Sequence, residues 1–299
     1  MDWELISQDE KDCEKIVRPS MTYWQDVWRR LKSNKVAMGG LIFLVFLVLL
    51  AIFGPMLSRY SYYDQNLALA NHGPSSSNWF GTDKHGRDLY VRILYGARIS
   101  LTVGIVASII NLVVGVLYGG ISGYAGGKVD NIMMRIVDIL STIPLTLYVI
   151  LLMVVIGSGL KSILIAIGSV YWLSMARIVR GQILSLKEQE YVLAAKTLGA
   201  SSLRIILRHL IPNAMGPIIV TMTMSIPSAI FTEAFLSFIG LGVSAPQASW
   251  GVLANDALGS IRTYPYQLFF PALAISVTML AFNFLGDGLR DALDPRMRK

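Results

Sequence analysis

Apolar runs at 36–57, 100–124, 131–156, 160–179, 214–241 and 268–286 carry few charges. A helix needs roughly 20 such residues to cross about 30 Å of hydrocarbon, and only the fourth run, trimmed by Lys161 and Arg177, sits close to that minimum. Hydrocarbon cannot satisfy the open edges of a sheet, so the fold expected is an all-α membrane bundle of six spans. The composition agrees, with 54% hydrophobic and 15% charged residues and a mean hydropathy of +0.55, well beyond a soluble globular domain. The net charge of +7 needs no nucleic acid to explain it, because basic residues collect on the cytoplasmic side of membrane proteins.

Residues 1–35 are polar and lack a short apolar segment followed by a cleavage site, so a removable signal peptide is not expected. Trp24, Val27, Trp28 and Leu31 recur there at helical spacing, with Arg29, Arg30, Lys32 and Lys35 around them. That pattern predicts an amphipathic helix lying on the membrane interface just before the first span. Cys13 is the sole cysteine, which excludes an intrachain disulfide, and His72, His85 and His209 have no second His or Cys at ligand spacing. No metal site is expected.

With the N-terminus inside, the internal segments hold Arg29, Arg30, Lys32, Lys35, Lys128, Arg135, Arg177, Arg180, Lys187, Lys196, Arg204, Arg208, Arg290, Arg296, Arg298 and Lys299. The external ones hold only Arg59, Lys84, Arg87, Arg92, Arg98, Lys161 and Arg262. The bias places both termini in the cytoplasm. Three regions follow: a tail with its interfacial helix at 1–35, the first span and an extracytoplasmic loop at 36–98, and a transmembrane domain at 99–299 with a polar insert near 188–212.

That insert predicts two short helices. Gly199 suits the left-handed residue that ends the first, Ser201 or Ser202 caps the second, and Pro212 stands where the second yields to the next span. Ala194 and Ala195 give the first helix a shallow face that a ridge of another protein can approach. Two Ala, a Gly four residues after the second and a Pro thirteen residues after that Gly resemble the "EAA" coupling loop of ABC-importer permeases. In that family the loop docks into a groove of the ATP-binding subunit. The position of the family's Glu holds Leu193, with Glu190 one helical turn earlier.

Further segments are similar to the oligopeptide/dipeptide C-type permease subunits of such importers. They are Gly81-Thr82-Asp83-Lys84-His85-Gly86-Arg87-Asp88, Tyr95-Gly96-Ala97-Arg98-Ile99-Ser100-Leu101, Leu236-Ser237-Phe238-Ile239-Gly240-Leu241-Gly242, Ser249-Trp250-Gly251 and the ending from Gly286 to Pro295. Nickel and glutathione importers use close relatives. The resemblance implies a type I importer transmembrane domain in a bacterial inner membrane. It implies as partners a homologous second permease, two ATP-binding subunits, an extracytoplasmic substrate-binding protein, a peptide substrate and membrane lipid. ATP and Mg would be bound by the ATPases, with no cofactor and no catalytic residue in this chain.

Other residues are read from their chemistry. Glu233 lies mid-span, where a carboxylate costs at least about 2.5 kcal/mol, so it faces either a pathway for a peptide's ammonium group or a hydrogen-bonded contact between helices. Asp83, Arg87 and Asp88 form a charged turn, either a docking surface or a loop held by its own exposed ion pairs, which contribute only about 0–1 kcal/mol. Asp138 is expected to pair with Arg135, and Asn111 and Asn283 to join helices. Gly115, Gly119 and Gly123, four apart, predict a close helix contact, while Pro144 and Pro227 predict kinks. There is no Walker A sequence, since Lys128 is followed by Val129 without the upstream Gly, so ATP falls to another polypeptide. A self-sufficient proton-coupled carrier using Glu233 and Asp138 lacks a visible repeated half with broken helices, and no HExxH, GxSxG or paired-carboxylate arrangement marks a membrane enzyme.

Overall fold

A computed structural model describes residues 22–294; Cys13, Pro295, Arg296, Arg298 and Lys299 fall outside that range. The described residues form helices joined by turns. Helix α1 spans Tyr23–Ser33 and α2 spans Lys35–Leu57. Asn34 separates them, its side-chain oxygen accepting the amides of Val36 (3.2 Å) and Ala37 (3.1 Å), which satisfies two of the orphan donors at a helix start. Helix α3, Leu89–Ile110, passes through a π turn into α4, Val116–Ala125, so the second span runs unbroken over 37 residues. Asp88 caps it by accepting the Val91 amide at 2.9 Å.

The third span is broken. Helix α5, Gly127–Thr142, and α6, Leu145–Ile156, meet at 81° around Ile143 and Pro144. The pair still traverses the bundle. Gly126 lies beside the Lys187 ammonium at one end, whereas Ser158, just past α6, is hydrogen-bonded to Ser244 (3.0 Å) at the other. Pro144 removes the N–H that the Leu140 carbonyl would accept, and the Tyr148 hydroxyl donates to that carbonyl instead at 3.2 Å. Ser141 and Thr142 donate to the carbonyls of Asp138 and Ile139. A similar substitution occurs in α2, where Pro55 leaves the Ala51 carbonyl without its amide and Arg98 of α3 donates to it.

Helix α7, Leu160–Leu186, is longer than the sequence pattern suggested. Arg177 and Arg180 end the apolar run but not the helix, because each finds a carboxylate on α5: Asp138 at 3.1 Å and Asp130 at 2.6 Å. The expected Arg135–Asp138 pair is therefore replaced, and Arg135 is exposed. After α7 come α8, Glu190–Thr197, α9, Ser202–Ile205, a π turn, and α10, Ile211–Asn213. The fifth span is α11, Met215–Phe238, followed by the short α12, Trp250–Ala257, and the sixth, α13, Tyr266–Leu293.

The packed regions at the two ends of the bundle place the site. At the end carrying the 58–88 loop and α12, the buried Trp250 sits among Leu89, Ile93, Ala97, Ile230 and Phe282, its indole N–H donating to the Ile93 carbonyl at 3.0 Å. At the opposite end, Val116, Met175, Val179, Ile183 and Ile218 join residues of α8 and α9. Gly115, Gly119 and Gly123 lie against α7, as their spacing predicts. Helix α1 departs in part from expectation. Val27 and Leu31 pack against Ala37, Ala292 and Leu293, while Trp24 and Trp28 remain exposed, so the apolar stripe is divided between the protein and the outside. Asn111 is buried in the second span with its side-chain oxygen unpartnered among the described residues, whereas Asn283 is exposed.

Candidate functional site

The polar insert is built as a bracket of two short helices around a tight turn. Gly199 has φ +79°, its amide bonds the Lys196 carbonyl at 2.9 Å, and the Ala200 amide bonds the Ala195 carbonyl at 3.0 Å, a left-handed helix stop suited to glycine. Ser201 then caps α9 by accepting the Arg204 amide at 3.4 Å. The break before the next span falls at Ala214, two residues beyond the exposed Pro212.

The paired alanines do not share a face. Ala195 is buried with Val192, Ile205 and Leu210, whereas Ala194 is exposed beside Leu193. What α8, α9 and the turns that follow them present outward is a set of leucines: Leu193, Leu198, Leu203 and Leu207, with Leu198 86% exposed. The sequence held a signal for this in the form of leucines in a polar segment outside every span. Glu190 is exposed at the first position of α8, with no partner among the described residues. The bracket is fixed to the spans by Lys187, which donates to the Gly123 carbonyl at 3.1 Å, and by Lys196 over the Tyr124 ring at 5.4 Å. These contacts join the insert to the ends of α4 and α7.

Glu233 is fully buried on α11. Its carboxyl accepts hydrogen bonds from Ser100 of α3 (2.9 Å) and Ser237 (2.7 Å), and Ser249, the cap of α12, donates to Ser237 at 3.3 Å. The geometry is that of a hydrogen-bonded contact among three helices and not of a side chain lining an opening.

The charged turn at the other end is buried, contrary to the expectation of exposed pairs. Asp83 accepts from Arg87 at 2.7 Å and Arg92 at 2.5 Å and from the amides of His85 and Arg87; Arg92 also faces Asp256 at 3.7 Å. Lys84 reaches Asp256 at 3.1 Å. Burial alone would push the Asp83 carboxyl up, but the charges of Arg92 and Arg87 and the backbone N–H outweigh it, and the group lies below the usual carboxylate range. Arg92 and Asp256 escaped sequence reasoning because they lie on separate helices and meet only through the fold.

Residues 115–299 match the family model described as binding-protein-dependent transport system inner membrane component. The chain belongs to that family. A second model, the N-terminal TM domain of oligopeptide transport permease C, matches residues 22–74 of this inner-membrane component. It is 56% identical to the oligopeptide transport system permease protein OppC of Bacillus subtilis (strain 168), covering 99% of this chain and 97% of that one. It is 54% identical to the dipeptide transport system permease protein DppC of the same organism, over 100% and 94%, and 47% identical to OppC of Escherichia coli (strain K12), over 97% and 96%. Among solved structures, inward-facing MetNI, a methionine ABC transporter, superposes with a TM-score of 0.57 at 18% identity, covering 69% of this chain and 96% of that chain. At that identity the likeness concerns the fold, which is that of an ABC-importer permease.

Proposed function

We propose that this chain is one of two membrane-embedded permease subunits of an ATP-driven importer of oligopeptides or dipeptides. The observation that carries the reading is identity above half along essentially the whole chain to permeases named for those two cargoes. The chain forms half of a translocation pathway and catalyses nothing itself. A homologous permease completes the pathway, two ATPases supply ATP hydrolysis with Mg, and an extracytoplasmic binding protein delivers the peptide.

Both described termini and the α8–α9 bracket lie at the same end of the bundle, and the basic residues concentrate there, which supports a cytoplasmic assignment for that end. The ATPase docks on the exposed leucines of α8 and α9. Its closure pushes the bracket, and the bracket moves α4 and α7, so alternating access is driven from below. Glu233 acts as a clamp inside the subunit and not as a peptide ligand.

The test separates docking from folding. Leu198 is almost free of contacts within the chain, so Leu198→Asp should leave insertion and solubilised stability unchanged. A leucine buried at an interface is worth about 1.5–3 kcal/mol, or roughly 10- to 100-fold in affinity. Copurification of the ATPase and ATP-dependent peptide uptake should fall accordingly. Ala195→Arg, by contrast, should damage the bracket itself and lower stability. Full uptake and normal copurification with Leu198→Asp would remove the bracket as the coupling element. Cysteine labelling should also find positions 84 and 196 on opposite sides of the membrane; labelling of both from one side would refute the topology.

A further inference from the structure

Helix α2 is apolar around its whole circumference, yet only Ala37, Gly40, Leu44 and Ala51 on it are buried. Near its C-terminal end, Phe46, Leu49 and Phe53 remain about half exposed and form one wall of a groove of about 680 Å³. The opposite wall comes from the turn before the second span and from the first turn of α3, where the Trp79 and Tyr90 rings lie 5.1 Å apart. Such a volume is within the range of small-molecule sites, roughly 300–1,000 Å³.

The mouth of the groove is polar. Arg59, two residues beyond α2, is exposed and has no hydrogen-bond or ion-pair partner among the described residues, and the Ser76 and Ser77 hydroxyls line the same rim. The one carboxylate in the lining, Asp88, is buried and already engaged, accepting from Asn78 at 2.8 Å and from the Val91 amide at 2.9 Å. Arg59 therefore has no internal counter-ion. A trough of apolar side chains ending in an unpaired guanidinium is complementary to an amphiphile with an anion at one end. Guanidinium binds phosphate through two parallel hydrogen bonds, and Trp and Tyr side chains mark the depth at which headgroups sit.

We propose that this groove binds one anionic phospholipid, its phosphate on Arg59 and one acyl chain along Phe46, Leu49 and Phe53. The lipid joins the end of α2 to the turn that carries the Asp83 cluster, and so holds that loop to the bilayer. The site does not depend on which cargo the importer carries.

The complex is purified from its native membrane into nanodiscs of equal phosphatidylglycerol and phosphatidylcholine, and retained lipid is counted by native mass spectrometry during stepwise delipidation. The wild-type chain should keep one phosphatidylglycerol in preference to phosphatidylcholine. Arg59→Gln should reduce that retention roughly 10- to 100-fold, Arg59→Lys, which keeps the charge but loses the two-pronged donor, should fall between Gln and wild type, and Ser77→Trp, which obstructs the mouth of the groove, should expel the lipid with Arg59 intact. Arg262→Gln, removing another exposed cation at the same end, should change nothing. Equal retention in Arg59→Gln and wild type would overturn the proposal, as would displacement of the lipid by millimolar inorganic phosphate alone. A photo-crosslinker at position 53 that captures another polypeptide in place of lipid would show that a protein covers the groove, and would overturn it too.

Discussion

Gly119 and Gly120 are neighbours on α4 with opposite surroundings, and replacing each by alanine tests how closely α4 and α7 approach. A Cβ added at Gly119 would collide with the Ala176 carbonyl oxygen and lie 3.0 Å from the Arg180 amide nitrogen. Both are backbone atoms of α7, so no rotamer change relieves the contact and the helices must separate. At Gly120 the nearest atoms are side-chain methyl carbons, Ile206 Cγ2 at 3.4 Å and Ile211 Cδ1 at 3.9 Å, an ordinary contact distance. Alanine is favoured over glycine within a helix by roughly 0.5–1 kcal/mol, and both substitutions gain this. Overpacking costs about 1–3 kcal/mol and falls on Gly119 alone. Gly119→Ala should be a net loss of up to about 2.5 kcal/mol by these figures, and Gly120→Ala neutral to slightly stabilising. Thermal unfolding of the solubilised complex, followed by size-exclusion fluorescence, should place Gly119→Ala several degrees below Gly120→Ala. Equal melting temperatures would mean that the backbones do not touch.

Two further outcomes follow from the buried polar groups. Glu233→Gln keeps an acceptor for the serine hydroxyls and should preserve assembly and uptake, whereas Glu233→Leu strands them at about 1–3 kcal/mol for each buried group left unpaired; loss of uptake in an intact, stable Glu233→Gln complex would restore a pathway role. The Asp83 carboxyl, whose pKa is lowered on folding, contributes stability that is full above the ordinary aspartate value near 4 and lost as pH falls through the depressed folded value. Stability measured below about pH 4 should therefore drop more in the wild type than in Asp83→Asn, and parallel acid profiles would show that Asp83 is not the group responsible.

The spans were readable because hydrocarbon thickness imposes a length that composition reveals directly. Gly199 and the glycine series were readable for a related reason, since a left-handed stop and a close helix contact each demand a residue without a side chain. What could not be read was orientation about a short helix axis. Ala194 and Ala195 are chemically identical, and only the packing of Val192 and Ile205 decides that one points inward. The partners of charged residues were hidden too. Arg135 is three residues from Asp138, but the aspartate turns to Arg177 on another helix, and Asp83 is held by Arg92 in a cluster completed by Asp256. Local spacing offers a partner, and tertiary structure supplies a different one.

At Pro55 and at the break at Pro144, the carbonyl that the ring leaves without its amide is answered by a side chain, Arg98 for Ala51 and Tyr148 for Leu140. Replacing either proline would restore an amide without removing Arg98 or Tyr148 from its place, so the break at Pro144 is not expected to close through that change alone. The reverse change is the harsher one. Without Arg98 or Tyr148, the carbonyl of Ala51 or Leu140 would be left in an apolar setting with nothing to donate to it, a loss of several kcal/mol for each orphaned group. These two side chains therefore have less freedom to vary than the prolines they accompany, although neither touches cargo nor lies where an ATPase would dock.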